Sequence, residues 1–164
     1  RQLVHGTTIH GLQRAVPHQS EPTTYYGRSS GVGQAFQSLG ERGPIHACGV
    51  GLGCGVLASY VRAGDHFEFI EINPAVVRVA TEHFSFMKDS PATVENHLGD
   101  GRIVLERLED RRFDIIALDA FSSDSIPAHL LTREAFQLYR QRITDDGVIM
   151  VHVSNKHLDL APLV

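Results

Sequence analysis

Apolar residues in this chain fall into short runs separated by helical stripes, and the two patterns alternate from about residue 30 almost to the end. Ile45 to Gly49, Phe67 to Ile72, Val94 to Leu98, Phe113 to Leu118 and Val148 to Val153 have the length and texture of strands, Phe113 to Leu118 being the clearest buried one. Helical spacing links Val32, Ala35, Phe36 and Leu39, with Ser30 as cap and Gly40 as stop. It recurs from Gly53 to about Val61, and again in Val76, Val77, Ala80 and Phe84 behind the cap-and-proline start Asn73-Pro74. Ile103 to Leu108 forms a short helix, and Phe136, Tyr139 and Ile143 share a stripe capped by Thr132. Gly99-Asp100-Gly101 and Asp145-Asp146-Gly147 read as turns. Five strands alternating with helices predict an α/β fold, a mostly parallel sheet with helices on both faces.

In such a sheet ligands bind outside the carboxyl ends of the strands, where strand order reverses. The polar residues at those ends are Gly51 to Gly55, Glu71, Asp100, Asp119 and Ser154-Asn155. The first set is a glycine cluster between a strand and a helical pattern, which allows positive φ and close approach of backbone to ligand. Glu71 follows it by roughly 20 residues, the offset of a carboxylate that accepts ribose hydroxyls. Asp100 reads equally well as a helix or turn cap. Glu71 and Asp119 each end a hydrophobic strand at the expected crevice.

Composition narrows the partners more than the fold. A length of 164 residues suits one domain, and 42% hydrophobic with 21% charged residues is the balance of a globular protein, excluding disorder or a coiled coil. A formal charge of -4 without a long Lys/Arg run points away from nucleic acid and is compatible with a cationic small ligand. The apolar runs are too short to span a bilayer, so this segment is expected to make no membrane contact; the N-terminus lacks signal-peptide anatomy. A cytoplasmic location is expected, including as the cytosolic domain of a membrane-anchored protein. Cys48 and Cys54 have no CxxC spacing and read as reduced packing residues. The ten histidines show no paired metal spacing, so no metal site is expected.

As an ordered set, Gly51-Leu52-Gly53-Cys54-Gly55, Glu71-Ile72-Asn73-Pro74, Leu98-Gly99-Asp100-Gly101-Arg102, Asp119 to Pro127 and His152-Val153-Ser154-Asn155 resemble the spermidine synthase (polyamine aminopropyltransferase) family. The likeness is strongest to the spermidine-synthase-like domains of bacterial membrane-fused proteins, and it extends to His5 to Gln13 and to Tyr25-Tyr26. It implies a Rossmann-like class I S-adenosylmethionine-dependent methyltransferase fold over residues 30–164, preceded by a substrate-side segment over 1–29. It also implies decarboxylated S-adenosylmethionine as co-substrate, with no tightly bound cofactor, and a polyamine as acceptor. Gly51, Gly53, Gly55, Glu71, Ile72, Asp100, Gly101 and Ala120 would hold the adenosyl donor. Glu71 would take the ribose hydroxyls and Asp100 the adenine amino group. Asp119 would be catalytic, deprotonating the attacking amine, and Gln13, Tyr25, Tyr26 and Asp124 would face the amine.

Two positions depart from the family pattern. Cys54 stands where an aspartate usually grips the donor's primary amine, and the spacing from Asp119 to Asp124 exceeds the usual aspartate-x-x-aspartate. The alternatives are therefore a methyltransferase using S-adenosylmethionine, or a non-catalytic adenosyl-binding module of a membrane protein. Against the family, strands ahead of His5 and a helix with final strands after Val153 are missing, so the chain is expected to be part of a longer protein. Val148 to Val153 would then be a sheet edge, which predicts self-association such as a homodimer.

Overall fold

The computed structural model describes residues 1–5, 8–120 and 127–153. An antiparallel hairpin of β1 (Gln2–His5) and β2 (Thr8–Leu12) comes first. The main sheet follows, built of β3 (His46–Val50), β4 (His66–Glu71), β5 (Thr93–Leu98), β6 (Phe113–Leu118) and β7 (Ile143–Val151). These five strands are all parallel, in the order β5-β4-β3-β6-β7. The central strands β3, β4 and β6 are buried on both faces, Glu68 of β4 included, whereas β5 carries exposed positions along its length.

Among the described residues four α-helices cover the two faces. α1 (Gly31–Gly40) and α2 (Pro74–His83) pack Phe36, Leu39 and Ala80 with Ala47, Phe67, Phe69 and Ile115 of the sheet. On the other face α3 (Gly101–Arg107) and α4 (Arg133–Arg142) bring Val104, Leu105, Leu138 and Tyr139 onto Cys48, Val50, Ile116 and Leu118. The expected caps form: Ser30 accepts from the Gly33 N–H at 3.2 Å, Asn73 from the Ala75 N–H at 2.9 Å, and Thr132 from the Ala135 N–H at 3.2 Å.

Four local expectations are corrected. The stretch from Gly53 is not an α-helix but a 3₁₀ turn at Val56–Ser59, because Gly51, Gly53 and Gly55 all hold positive φ. Gly40 does not stop α1 by a left-handed turn; it is the last helical residue, and a Cβ there would lie 3.0 Å from the Arg62 guanidinium. Ile143 leaves the α4 stripe to begin β7, since Arg142 is buried with its guanidinium donating to the Leu105 and Glu106 carbonyls. Asp145-Asp146-Gly147 lies within β7, where Phe113 pairs with Ile143 and Ile115 already with Val148, so the extra residues form an irregularity rather than a turn between elements. A strand also occupies Gln2–His5, where none was expected.

Candidate functional site

Strand order reverses between β3 and β6, and a cavity of about 710 Å³ opens there at the carboxyl ends of the strands. Gly51, Gly53, Glu71, Ile72, Asp100, Gly101, Asp119, Ala120 and Tyr25 all line it. The hairpin closes one side through Leu3, Val4 and His10, and α2 contributes Ala75, Val76 and Val79. The cavity therefore has apolar walls with carboxylates set among them, the usual makeup of a small-molecule site.

The glycines are needed for different reasons. At Gly51, φ is 102° and an added Cβ would stand 2.4 Å from the Asp119 carbonyl oxygen, so the turn and the end of β6 touch backbone to backbone. At Gly101 a Cβ would lie 2.4 Å from Val50 Cγ1, so its absence lets α3 start hard against β3. Gly55 faces Met87 rather than the cavity.

Each carboxylate is fixed by its neighbours. Glu71 accepts from the Leu52 N–H of the glycine turn at 3.1 Å and from the Asn73 N–H at 2.8 Å, which ties the two loops together. Asp100 caps α3, accepting from the Arg102 and Ile103 N–H groups at 3.0 and 3.1 Å, while its other oxygen meets His129 Nε2 at 2.8 Å. Its capping role is thus real, and it lines the cavity as well. Burial works against its ionisation, but the hydrogen bonds from Ile103, His129 and Arg102 outweigh burial and hold the carboxyl below its ordinary value.

Asp119 follows β6 and meets His152 Nδ1 at 2.5 Å. Burial pushes its carboxyl above the ordinary value, against the opposing pull of His152 and His10. The Tyr25 ring lies 4.1 Å from the His152 ring, and Tyr26 4.4 Å from Tyr25. Burial, followed by the Asp119 charge, pushes the Tyr25 hydroxyl up, so it stays protonated beside the carboxylate. Thr24 just before it has φ 58°, a left-handed conformation costing a β-branched residue about 1–3 kcal/mol.

Other expected residues lie elsewhere. Gln13 is buried behind the hairpin, donating to the Gln19 carbonyl and Ser85 Oγ and accepting from the Ser85 N–H, and does not line the cavity. Tyr26 is buried beneath Tyr25, and its carbonyl accepts from the Tyr60 hydroxyl. Asp124 lies outside the described residues. Cys54 is buried with its thiol turned towards Gly11 of β2, where a Cβ would come within 2.2 Å of the sulfur; burial pushes the thiol up to about 11.

Sequence reasoning missed His10 and His129 as cavity residues, and a cluster on the α3/α4 face of the sheet around Glu68. There Glu68 is wholly buried, with His46 Nε2 and His97 Nε2 each 2.7 Å from one of its oxygens. Burial alone would raise Glu68, yet the hydrogen bonds from His46 and His97 prevail and hold it at about 2. Only the parallel register, pairing His46 with His66 and Glu68 with Glu95, brings these residues together.

Comparison with known proteins gives the family its name. The spermine/spermidine synthase domain matches residues 51–161, starting at the glycine turn and running through all three cavity carboxylates. This chain belongs to that family. A polyamine aminopropyltransferase of Vibrio vulnificus is 33% identical over 108 residues, 63% of this chain and 36% of its own length. The chain spans less than half the length of the curated relatives it matches. Spermidine synthase from Thermotoga maritima superimposes with a TM-score of 0.50 at 24% identity, covering 66% of this chain and 38% of that one. Human methyltransferase-like protein 13, solved in complex with SAH, gives 0.59 at 23% identity, covering 72% and 60%. Both share the Rossmann-like α/β fold, which the family has in common with class I S-adenosylmethionine-dependent methyltransferases. Among the described residues no helix is long and apolar enough to cross a membrane.

Proposed function

We propose that this domain binds decarboxylated S-adenosylmethionine in the switch-point cavity and transfers its aminopropyl group to a polyamine. The observation that carries this reading is the position of Asp119: a half-buried carboxylate following β6, 2.5 Å from His152 Nδ1, in the same cavity as Glu71 and Asp100, where burial raises it above its ordinary value. A protonated amine is no nucleophile, and a carboxylate of raised pKa is a better proton acceptor than an ordinary one. The amine nitrogen attacks the propyl carbon next to the sulfonium, and the carbon–sulfur bond breaks with its electron pair passing to sulfur. Asp119 takes the proton of the incoming ammonium before the attack; neutral methylthioadenosine leaves, and the product nitrogen carries the positive charge that the sulfonium loses. Glu71, anchored by two backbone N–H groups, has the charge to accept the ribose hydroxyls. Ile72, 68% exposed at the cavity, offers an apolar surface for the base. Residues 1–29 act as the substrate-side segment through Leu3, Val4, His10 and Tyr25.

Cys54 favours a second reading. At the position of the family's donor-gripping aspartate, it turns a neutral thiol away from the cavity towards Gly11, so no anion there meets the primary amine of the decarboxylated donor. S-adenosylmethionine, whose amine is balanced by its own carboxylate, depends less on that anion, and methyl transfer follows from the same site. Turnover assays with each donor and putrescine separate the two: methylthioadenosine as product supports aminopropyl transfer, and S-adenosylhomocysteine supports methyl transfer. Formation of neither product by the wild-type chain, with nucleoside binding retained, would leave a binding module.

A further inference from the structure

Three adjacent parallel strands turn five ionisable side chains to the α3/α4 face, from His46 and His66 at the amino-terminal ends of β3 and β4 to His97, which lies in register with Ile70. His46 of β3 pairs in register with His66 of β4, and Glu68 of β4 pairs with Glu95 of β5, followed by His97. None of the five lines the cavity. The His46 and His66 rings stack with centroids 4.6 Å apart and planes 3° from parallel. The ligand atoms of His46, His66 and Glu68 all lie within 4.8 Å of one another.

We propose that His46, His66 and Glu68 form a binding site for one zinc ion. Two imidazole nitrogens and a carboxylate oxygen are a recurrent zinc donor set, with a fourth position left for water. Zinc–ligand bonds of about 2.0–2.2 Å put neighbouring donors roughly 3.4 Å apart in a tetrahedron. Binding thus opens the present 2.7 Å contact between His46 and Glu68 and draws His66 inward. Both are side-chain adjustments on a fixed backbone.

Three further observations favour an ion over a purely structural hydrogen-bond cluster. His66 Nε2 is buried and has no hydrogen-bond partner, an arrangement that is unfavourable unless something else satisfies the nitrogen. It stands 3.5 Å from Glu95 Oε1, which is beyond a hydrogen bond but close enough to offset an ion's second charge. His97 holds the second oxygen of Glu68 at 2.7 Å, and such a hydrogen bond behind a ligating carboxylate fixes its orientation. Arg111 Nε lies 3.7 Å from Glu68 Oε1 and is the competing cation; its side chain is 44% exposed, so it can swing into solvent when zinc enters. With zinc in place β3 and β4 are pinned together where His46 pairs with His66, so occupancy is read as a gain in stability independent of the donor bound in the cavity.

The test uses tag-free chain stripped with chelator and titrated with zinc chloride by calorimetry, alongside thermal melts with and without zinc. The expected result is one zinc per chain and a higher melting temperature with zinc. In His66→Gln, binding weakens at least tenfold while the metal-free melting temperature stays within about 2 °C, because His66 makes no hydrogen bond in the Glu68 network. Cobalt(II) bound to the wild-type chain gives the visible d–d absorption of a four-coordinate site, a reading that needs no variant to fold. Absence of stoichiometric zinc binding, zinc affinity unchanged in His66→Gln, or a six-coordinate cobalt spectrum would overturn the proposal.

Discussion

Replacing Gly51 by alanine tests the backbone contact on which the cavity is built. The substitution carries two separable costs. A Cβ-bearing residue at φ 102° loses about 1–2 kcal/mol from its own backbone. The Cβ would also lie 2.4 Å from the Asp119 carbonyl oxygen, 2.7 Å from its carbon and 3.0 Å from the Ala120 nitrogen, where ordinary contact begins at 3.4 Å. Backbone cannot rotate aside as a flexible side chain can, so the end of β6 must retreat by about 1 Å. That retreat strains the adjoining Asp119 N–H to Val50 carbonyl bond, 2.8 Å long, whose loss adds about 1 kcal/mol. Together these give about 2–4 kcal/mol, a fall in Tm of roughly 5–15 °C for a chain of this size. Gly64→Ala is the control, because φ there is 93° but nothing lies within 4 Å of the added Cβ, which leaves the backbone cost alone. Urea unfolding and thermal melts of both variants measure the difference, and calorimetry with methylthioadenosine shows whether moving the cavity-lining glycine turn away from the end of β6 weakens the site. Equal stability of the two variants, or unchanged nucleoside affinity in Gly51→Ala, would refute the close-contact argument.

Asp119→Asn lowers turnover by about 10²–10⁴-fold while nucleoside affinity changes less than about threefold. The same residue gives stability a definite pH dependence: a carboxyl raised by burial binds a proton more readily in the folded chain, so wild-type stability falls as pH rises through the raised value. An amide at this position carries no such penalty, so Asp119→Asn is more stable than wild type at neutral pH and the gain disappears below about pH 4; a constant difference across pH would contradict the assignment. Cys48 and Cys54 are both buried, with thiols pushed up by burial, so neither reacts with a thiol reagent at mildly alkaline pH until urea unfolds the chain, and rapid labelling of the native protein would count against their packing. Among the described residues β7 is a sheet edge with Val148 37% exposed, and sedimentation should show self-association rising with concentration; a monomer at every concentration would rule it out.

Much of this architecture is legible in the sequence because its determinants are local. Ser30, Asn73 and Thr132 each cap the helix that follows, and the apolar run Ile115 to Leu118 of β6 declares a strand covered on both faces. Glu71, Asp100 and Asp119 reach one cavity because each ends or follows a strand of a parallel sheet, so alternation alone places them. What is not legible depends on conformation or on distant partners. The glycine turn delays the helix after β3, since three residues at positive φ cannot be helical, and only a 3₁₀ turn remains. Ile143 fits the α4 stripe by spacing, but Arg142 spends its donors on α3 carbonyls thirty-six and thirty-seven residues away and ends the helix. The position of Gln13 in the resemblance suggests an amine ligand, whereas its carboxamide brackets Ser85. The histidines at 46, 66 and 97 have no sequence spacing in common; strand register gathers them around Glu68.

The central claim is that the cavity beside Gly51 and Glu71 is an adenosyl-sulfonium site of the aminopropyl-transfer kind. Calorimetry of the purified chain with decarboxylated S-adenosylmethionine, S-adenosylmethionine and methylthioadenosine tests it most directly, with Glu71→Gln as control. The expected result is tighter binding of the first and third than of the second. In Glu71→Gln all three weaken by about ten- to a hundredfold, the worth of one charge-assisted hydrogen bond. Failure of the folded wild-type chain to bind any of the three, or equal affinities in Glu71→Gln, would contradict it.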